Sequence, residues 1–191
     1  MVSLLLALAG LAGCSAQQKL VTAEPPVVQK DQQQLLLRKK VTALLGKGSY
    51  RRALELMGAT NRPGTTVAGL EREYVSAVNG LIAVGDEHFA IGDYGTAGNS
   101  FKWALDSYPA DPALRERLRR EPKQLKAQLE ICSNRLMEEG LQEYRRGNLE
   151  SAIRKWKTLT AFNADHLEAK KAIATASVQL RALHALENRQ Q

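Results

Sequence analysis

The chain has 191 residues, a formal net charge of +7 and an apolar fraction of 44%. That length is enough for one domain with a substantial core. The two cysteines, Cys14 and Cys132, lie far apart in sequence, which excludes the C-x-x-C spacing of zinc and redox sites. The excess of Lys and Arg predicts attraction to anionic partners: nucleic acid, anionic lipid, or acidic protein and glycan surfaces.

A short apolar run over residues 2–10 opens the sequence and leads into the tetrad Leu-Ala-Gly-Cys at residues 11–14. The run is too short to span a bilayer, which needs about 20 apolar residues, but it has the length of a signal-peptide core. The tetrad resembles the lipobox of bacterial lipoprotein signal peptides. That resemblance implies a signal peptide over residues 1–13, cleavage before Cys14, and lipidation of the Cys14 thiol. Ser15 stands where an Asp would mark inner-membrane retention, which favours the outer membrane, facing the periplasm.

Residues 14–34 are rich in Gln, contain a Pro-Pro pair and have little apolar content. Because such a segment does not offset the entropy lost on ordering, we expect a flexible tether after the lipidated cysteine. The folded domain is then expected over residues 35–190. Export would also remove most nucleic acid from reach, so the predicted partners are envelope proteins or peptide segments, together with the membrane that holds the anchor.

A repeat organises the sequence from Leu35 onward. The segment FAIGDYGTA at residues 89–97 reappears as YRRGNLESA at residues 144–152, and the same offset pairs Gly85 with Gly140. A fainter copy precedes both, around Gly48. The recurring positions are Gly48, Tyr50 and Ala53 in the early copy, Gly85, Phe89, Gly92, Tyr94, Ala97, Phe101, Ala104 and Pro109 in the middle copy, and Gly140, Tyr144, Gly147, Leu149, Ala152 and Trp156 in the last.

Each copy predicts two antiparallel helices joined by a short turn. A glycine in the left-handed conformation ends the first helix, and an apolar residue after it anchors the turn by packing against the hairpin. An alanine follows where the helices approach closely, and a bulky residue four positions later fills the groove between them. This pattern resembles the tetratricopeptide repeat, which implies an all-α fold of helical hairpins stacked as a short solenoid. The copies are spaced more widely than the usual repeat length of about 34 residues, so we expect extra or elongated helical segments between the hairpins.

Three further elements are predicted around the last copies. Asp111-Pro112 has the pattern of a helix start, and that helix should break near Glu121-Pro122. A second helix, from Lys123 to about Arg146, should carry its apolar stripe inward. A final helix, capped by Asp165 and ending near Glu187, should cap the solenoid with a polar outer face. The residues expected to face inward are Leu125, Leu129, Cys132, Leu136 and Gly140 in the second helix, and Leu167, Ile173, Ala176, Leu180 and Leu183 in the last.

No chemical motif predicts catalysis. The glycine-rich segment at residues 92–98 lacks the Lys-Ser/Thr of a phosphate loop and follows a predicted helix instead of a strand. Within that segment, Gly95 and Gly98 predict either close helix packing or a mobile turn. The three histidines lie in separate elements without metal-ligand spacing, and no G-x-S-x-G elbow occurs. We therefore predict a protein that is not an enzyme, with no cofactor and no metal site.

Two basic clusters remain. They are a solvated surface, or they form a face for an anionic partner such as peptidoglycan, acidic lipopolysaccharide or an acidic protein segment. Aromatic residues rarely alternate with these charges, which argues against binding to single-stranded nucleic acid. The candidate residues are Arg115, Arg117, Arg119, Arg120, Lys123 and Lys126 in one cluster and Arg145, Arg146, Arg154, Lys155 and Lys157 in the other.

The sequence therefore predicts a lipid-anchored scaffold that binds protein partners in the bacterial cell envelope, in an assembly, secretion or pilus-type machine. Three alternatives stay open: a glycan-associated module that uses the basic face, an activator of cell-wall enzymes, and a soluble helical-repeat protein with an apolar start. The sequence does not indicate the oligomeric state.

Overall fold

The computed structural model describes residues 26–58 and 69–188, and within these two ranges the chain forms eight helices and no strand. The described part is therefore all-α, as predicted. The predicted signal peptide and Cys14 lie outside it. The helices are α1 (Pro26–Gly46), α2 (Tyr50–Gly58), α3 (Glu71–Ala90), α4 (Tyr94–Asp106), α5 (Pro112–Arg115), α6 (Pro122–Arg145), α7 (Leu149–Phe162) and α8 (Leu167–Glu187).

The chain divides into two units at Leu35, and the core lies in the second, Leu36–Gln191. Helix α1 begins at Pro26, so residues 26–34 are helical where a flexible tether was expected. The physical reason lies in the local sequence. Proline at the first helical position has a backbone angle suited to a helix, and the Gln, Lys and Leu residues that follow are good helix formers.

Three turns of the same length join successive helices: α1 to α2, α3 to α4, and α6 to α7. Each has three residues with a glycine in the middle, and Gly48, Gly92 and Gly147 have φ angles of 68°, 81° and 81°. The residue after each glycine donates its backbone N–H to a carbonyl of the preceding helix at 2.9 Å, in all three turns. The predicted left-handed glycines are thus confirmed.

Within the two later hairpins, an aromatic ring lies directly on a helical glycine. Phe101 of α4 covers Gly85 of α3, and Trp156 of α7 covers Gly140 of α6, so a Cβ atom at either glycine would overlap the ring. Both rings are almost fully buried, and Trp156 Nε1 donates to the Met137 carbonyl at 3.2 Å. The glycines therefore allow each pair of helices to lie close together.

The hairpins pack in chain order. Helix α2 contacts α3, α3 contacts α4, α4 contacts both α6 and α7, and α7 contacts α8. At Gly95 and Gly98 of α4, a Cβ atom would overlap Thr158 and Phe162 of α7. Of the two alternatives predicted for Gly95 and Gly98, close helix packing or a mobile turn, the structure shows close helix packing.

Most of the repeat positions predicted from the sequence contribute to one core cluster. Pro109 is fully buried after the end of α4. The buried positions are Ala53, Gly85, Ala97, Phe101, Ala104, Pro109, Gly140, Leu149, Ala152 and Trp156, and the partly buried ones that pack against them are Tyr50, Phe89, Tyr94 and Tyr144.

The last helix differs from its prediction. It begins at Leu167, and its N-cap is His166, whose Nδ1 accepts from the Ala169 N–H at 3.2 Å, in place of Asp165. Leu167 was expected inside but is 68% exposed. Two positions correspond to about 200° of helical rotation, so burial of Ala169 turns Leu167 to the opposite side.

Three further large apolar residues of α8 are also exposed, Val178, Leu183 and Leu186. Leu183 was expected inside, but it is 49% exposed, in a helical segment beyond the buried Ala176. The outer face was expected to be polar, yet Val178 is 57% exposed. The buried residues of α8 are Ala169 and Ala176, and several of its larger apolar side chains face solvent instead.

The burial of Trp156 makes a direct stability prediction. Trp156→Ala should lower the free energy of unfolding by about 3–5 kcal/mol, because it removes a large buried ring and leaves a cavity. Urea denaturation measures this. Trp103, a partly exposed tryptophan with the Arg51 guanidinium 4.8 Å from its ring centroid, is the matched control, and its replacement by Ala should cost less. A loss below about 1 kcal/mol for Trp156→Ala would contradict the packing described.

Candidate functional site

A groove of about 450 Å³ lies between α4, α6 and the end of α7. Its volume is within the range of small-ligand and peptide-anchor sites, roughly 300–1,000 Å³. Its lining includes the apolar residues Leu105, Leu129 and Phe162, and the polar groups Lys102, Lys126, Glu130, Ser133, Asn134, Asn163 and His166. The sequence did not reveal this groove, because its residues come from three helices and carry no repeat signature.

The groove has hydrogen-bonding groups but no arrangement for nucleophilic catalysis among the described residues. The Ser133 hydroxyl is buried and accepts from the Asn163 amide at 3.2 Å, so its hydrogen-bond partner is an amide and not an imidazole base. The His166 ring nitrogen Nδ1 is used to cap α8. Such a lining can bind a peptide segment through apolar contacts with its leucine and phenylalanine side chains and through a few hydrogen bonds.

The segment between α5 and α6 is fixed against α3. The Asn79 side chain contacts its backbone twice: Nδ2 donates to the Arg117 carbonyl at 3.0 Å, and Oδ1 accepts from the Arg119 N–H at 2.9 Å. One residue further on, the Arg120 guanidinium pairs with Asp86 at 2.7 Å. The Tyr108 hydroxyl donates to the Arg120 carbonyl at 3.3 Å. This basic segment is therefore held in one conformation.

The structure divides the first predicted basic cluster into two kinds of residue. Arg120 pairs with Asp86, and Arg115 Nε donates to the Pro109 carbonyl at 2.8 Å, so both guanidinium groups hold the chain together. The other four side chains are exposed and have no ion pair among the described residues. These four are Arg117, Arg119, Lys123 and Lys126, which we call the cationic strip.

In the second predicted cluster, Arg145 and Arg146 lie at the far end of the same helix, and the other three residues lie in α7. Arg145 is the last residue of α6 and Arg146 follows it, whereas Lys123 and Lys126 lie near the start of the helix. A helix of 24 residues is about 36 Å long, so the two clusters do not form one face. Arg146 also pairs with Glu143 at 2.7 Å. The two predicted clusters are therefore separate surfaces, and only the first contributes to the cationic strip.

Polar side chains support the hairpin turns at matching positions of the middle and last copies. His88 contacts Asp93 at 2.9 Å in one turn, and Glu143 accepts from Asn148 at 2.9 Å in the other. Hydrogen bonds from the Thr96 side chain and backbone hold the pKa of Asp93 below its usual range. These groups serve the turns, and the described residues contain no cluster of three potential metal ligands.

Cys132 packs as a small apolar side chain, as predicted. It is fully buried in α6, and burial raises the pKa of its thiol to about 11. Because the thiolate is the reactive form, this cysteine is poorly suited to nucleophilic chemistry at neutral pH.

Comparison of the chain with protein-family models, with curated proteins and with solved structures finds no match. In the described part of the chain, no helix combines the length and apolar character needed to cross a membrane.

The hydrogen bonds of Asn79 make a prediction about the basic segment. Asn79→Ala should speed hydrogen exchange of the Arg119 amide roughly fivefold, because a hydrogen bond worth about 1 kcal/mol is lost. The matched control is Asn134→Ala, at an exposed asparagine of the groove, which should leave that amide unchanged. Equal exchange in the wild type and the Asn79 variant would show that Asn79 does not hold the segment.

Proposed function

We propose that the protein is a lipid-anchored, non-enzymatic scaffold of the bacterial cell envelope, built from hairpins of the tetratricopeptide-repeat type. It would bind protein partners in an assembly, secretion or pilus-type machine. The observation that carries the proposal is the recurrence of one turn geometry and one ring-on-glycine contact at the predicted offset.

The departure from the usual repeat length has a structural counterpart. The turn glycines of the middle and last copies, Gly92 and Gly147, are further apart than the usual repeat of about 34 residues. Helix α5, the basic segment and the first turns of α6 supply the additional residues. The extra residues thus lie between the hairpins and leave the hairpins themselves intact, which supports the assignment to a repeat class.

The groove supports binding of a peptide segment. Repeat proteins leave one face largely exposed, and this face binds extended segments or helices of partner proteins. Here Leu105 and Leu129 offer apolar contact, while the Asn134 side chain can exchange hydrogen bonds with a peptide backbone. We therefore place the protein partner in this groove.

A second candidate function has one observation in its favour. The cationic strip offers four exposed charges without ion pairs among the described residues. A glycan-associated module would use such a surface to bind acidic cell-wall polymers.

The anchor and the partner can be tested in the same cells. Labelling with palmitate should mark the wild-type protein and the Cys132→Ala control but not Cys14→Ala. A photoreactive residue at Asn134 should then crosslink a protein, and Leu129→Lys should abolish that crosslink by placing a charge in the groove.

Three results would contradict the proposal. Label in Cys14→Ala would exclude lipidation at this cysteine. A crosslink unaffected by Leu129→Lys would exclude the groove as the binding site. Capture of muropeptides in place of a protein would favour the glycan-associated module.

A further inference from the structure

The cationic strip presents its charges from a fixed backbone. Leu118 packs against the core and Arg120 pairs with Asp86, whereas Arg117 and Arg119, which alternate with them, are exposed. Asn79 holds the backbone on both sides of Leu118. Because this backbone is already ordered, binding of a partner costs little further conformational entropy there.

Lys123 of the strip is placed against the preference of the helix that carries it. Lys123 lies in the first turn of α6, and that turn contains no acidic residue. The amino-terminal end of a helix carries partial positive charge, so acidic residues stabilise it and a lysine does not. Lys126, three residues on, lies on the same side of the helix. Helix stability therefore does not account for the charge of Lys123.

The nearby acidic groups leave the strip positive. Asp86 is paired with Arg120, and Glu71, whose carboxylate accepts from the Gly69 N–H, interacts electrostatically with Arg117. Three exposed acids, Glu116, Glu121 and Glu130, lie in the same stretch of chain as the four cations of the strip and the exposed Arg115. The strip therefore keeps an excess of positive charge facing solvent.

The shape of the strip favours a broad partner over a narrow one. Arg117, Arg119 and Lys123 line neither the 450 Å³ groove nor the smaller clefts beside the hairpin turns. The side chains of these three residues are exposed, and such open groups suit a partner that carries many anionic groups across its surface. A wide surface with many anionic groups can engage all four charges together.

We infer that the cationic strip docks the domain on the surface of a bilayer that contains anionic phospholipids. The inference rests on the proposed function in one respect, since an anchor at Cys14 would keep the strip within reach of such a bilayer. A basic residue near an anionic bilayer raises partitioning roughly fivefold, so four residues together can raise it a few hundredfold.

The test uses the full chain carrying Cys14→Ser, so that no lipid is attached. Co-sedimentation compares vesicles of phosphatidylcholine alone with vesicles that also contain phosphatidylglycerol. Any apolar contribution is common to both vesicles, so the difference between them isolates the electrostatic contribution. The test variant replaces Arg117, Arg119, Lys123 and Lys126 by Ala. The control replaces Lys39, Lys40, Lys170 and Lys171 by Ala, which removes the same charge from other exposed positions.

We expect the wild-type strip to favour the anionic vesicles, with binding that weakens as salt is added. The strip variant should lose at least about thirtyfold in binding, and the control should lose less than about threefold. Thermal unfolding of both variants, followed by circular dichroism, establishes that they are folded.

The inference is overturned if the wild type shows no preference for anionic vesicles, or if both variants lose binding equally. It is also overturned if purified sacculi or polyglutamate remove the protein from the vesicles in a strip-dependent manner, because the partner is then a glycan or an acidic peptide. None of these results bears on lipidation or on the groove, which palmitate labelling and crosslinking report separately.

Discussion

The close approach of paired helices depends on an aromatic ring that lies on a bare glycine. A glycine inside a helix costs about 1 kcal/mol relative to alanine, so a contact must compensate for it. Here Phe101 lies on Gly85, and Trp156 lies on Gly140. Each ring fills the space that a Cβ atom would otherwise take, and the separation of the two helices is set by the thickness of the ring.

The same principle extends from the hairpins to their stacking. Helix α4 approaches α7 at Gly95 and Gly98, where Thr158 and Phe162 fill the space. Glycine thus sets both the contact within a hairpin and the contact between successive hairpins. The segment that joins these hairpins contains one short helix, α5, before α6 begins. The side chains of Asn79 and Asp86 fix this segment against α3. Its exposed charges are consequently held on a rigid support.

The repeat made a large part of the fold predictable. A glycine that recurs with an apolar residue, an alanine and a bulky residue at fixed distances determines a turn and two helix faces at once. The turn at Gly147 and the burial of Trp156 followed from that pattern. The orientation of α8 did not, because its alternating Ala and Leu residues allow more than one face to be buried. Burial of Ala169 instead of Leu167 is decided by the surface of α7.

The candidate surfaces were less predictable, for a different reason. The cluster of arginines was visible in the sequence. The hydrogen-bond and ion-pair partners that separate its structural arginines from its exposed ones were not. Arg120 meets Asp86, which is distant in sequence and lies on another helix, and Arg115 meets the Pro109 carbonyl. The groove likewise depends on the placement of three helices. Sequence patterns report contacts along one helix, whereas these contacts arise between separate elements.

The most direct measurement of the central claim compares two glycine-to-alanine variants by urea denaturation. Gly140→Ala should lower the free energy of unfolding by about 1–3 kcal/mol, because the new methyl group would overlap the Trp156 ring. Gly46→Ala, at a helical glycine with open space around it, should be neutral or stabilising by up to about 1 kcal/mol. If Gly140→Ala is as stable as Gly46→Ala, rings on bare glycines do not set the helix spacing.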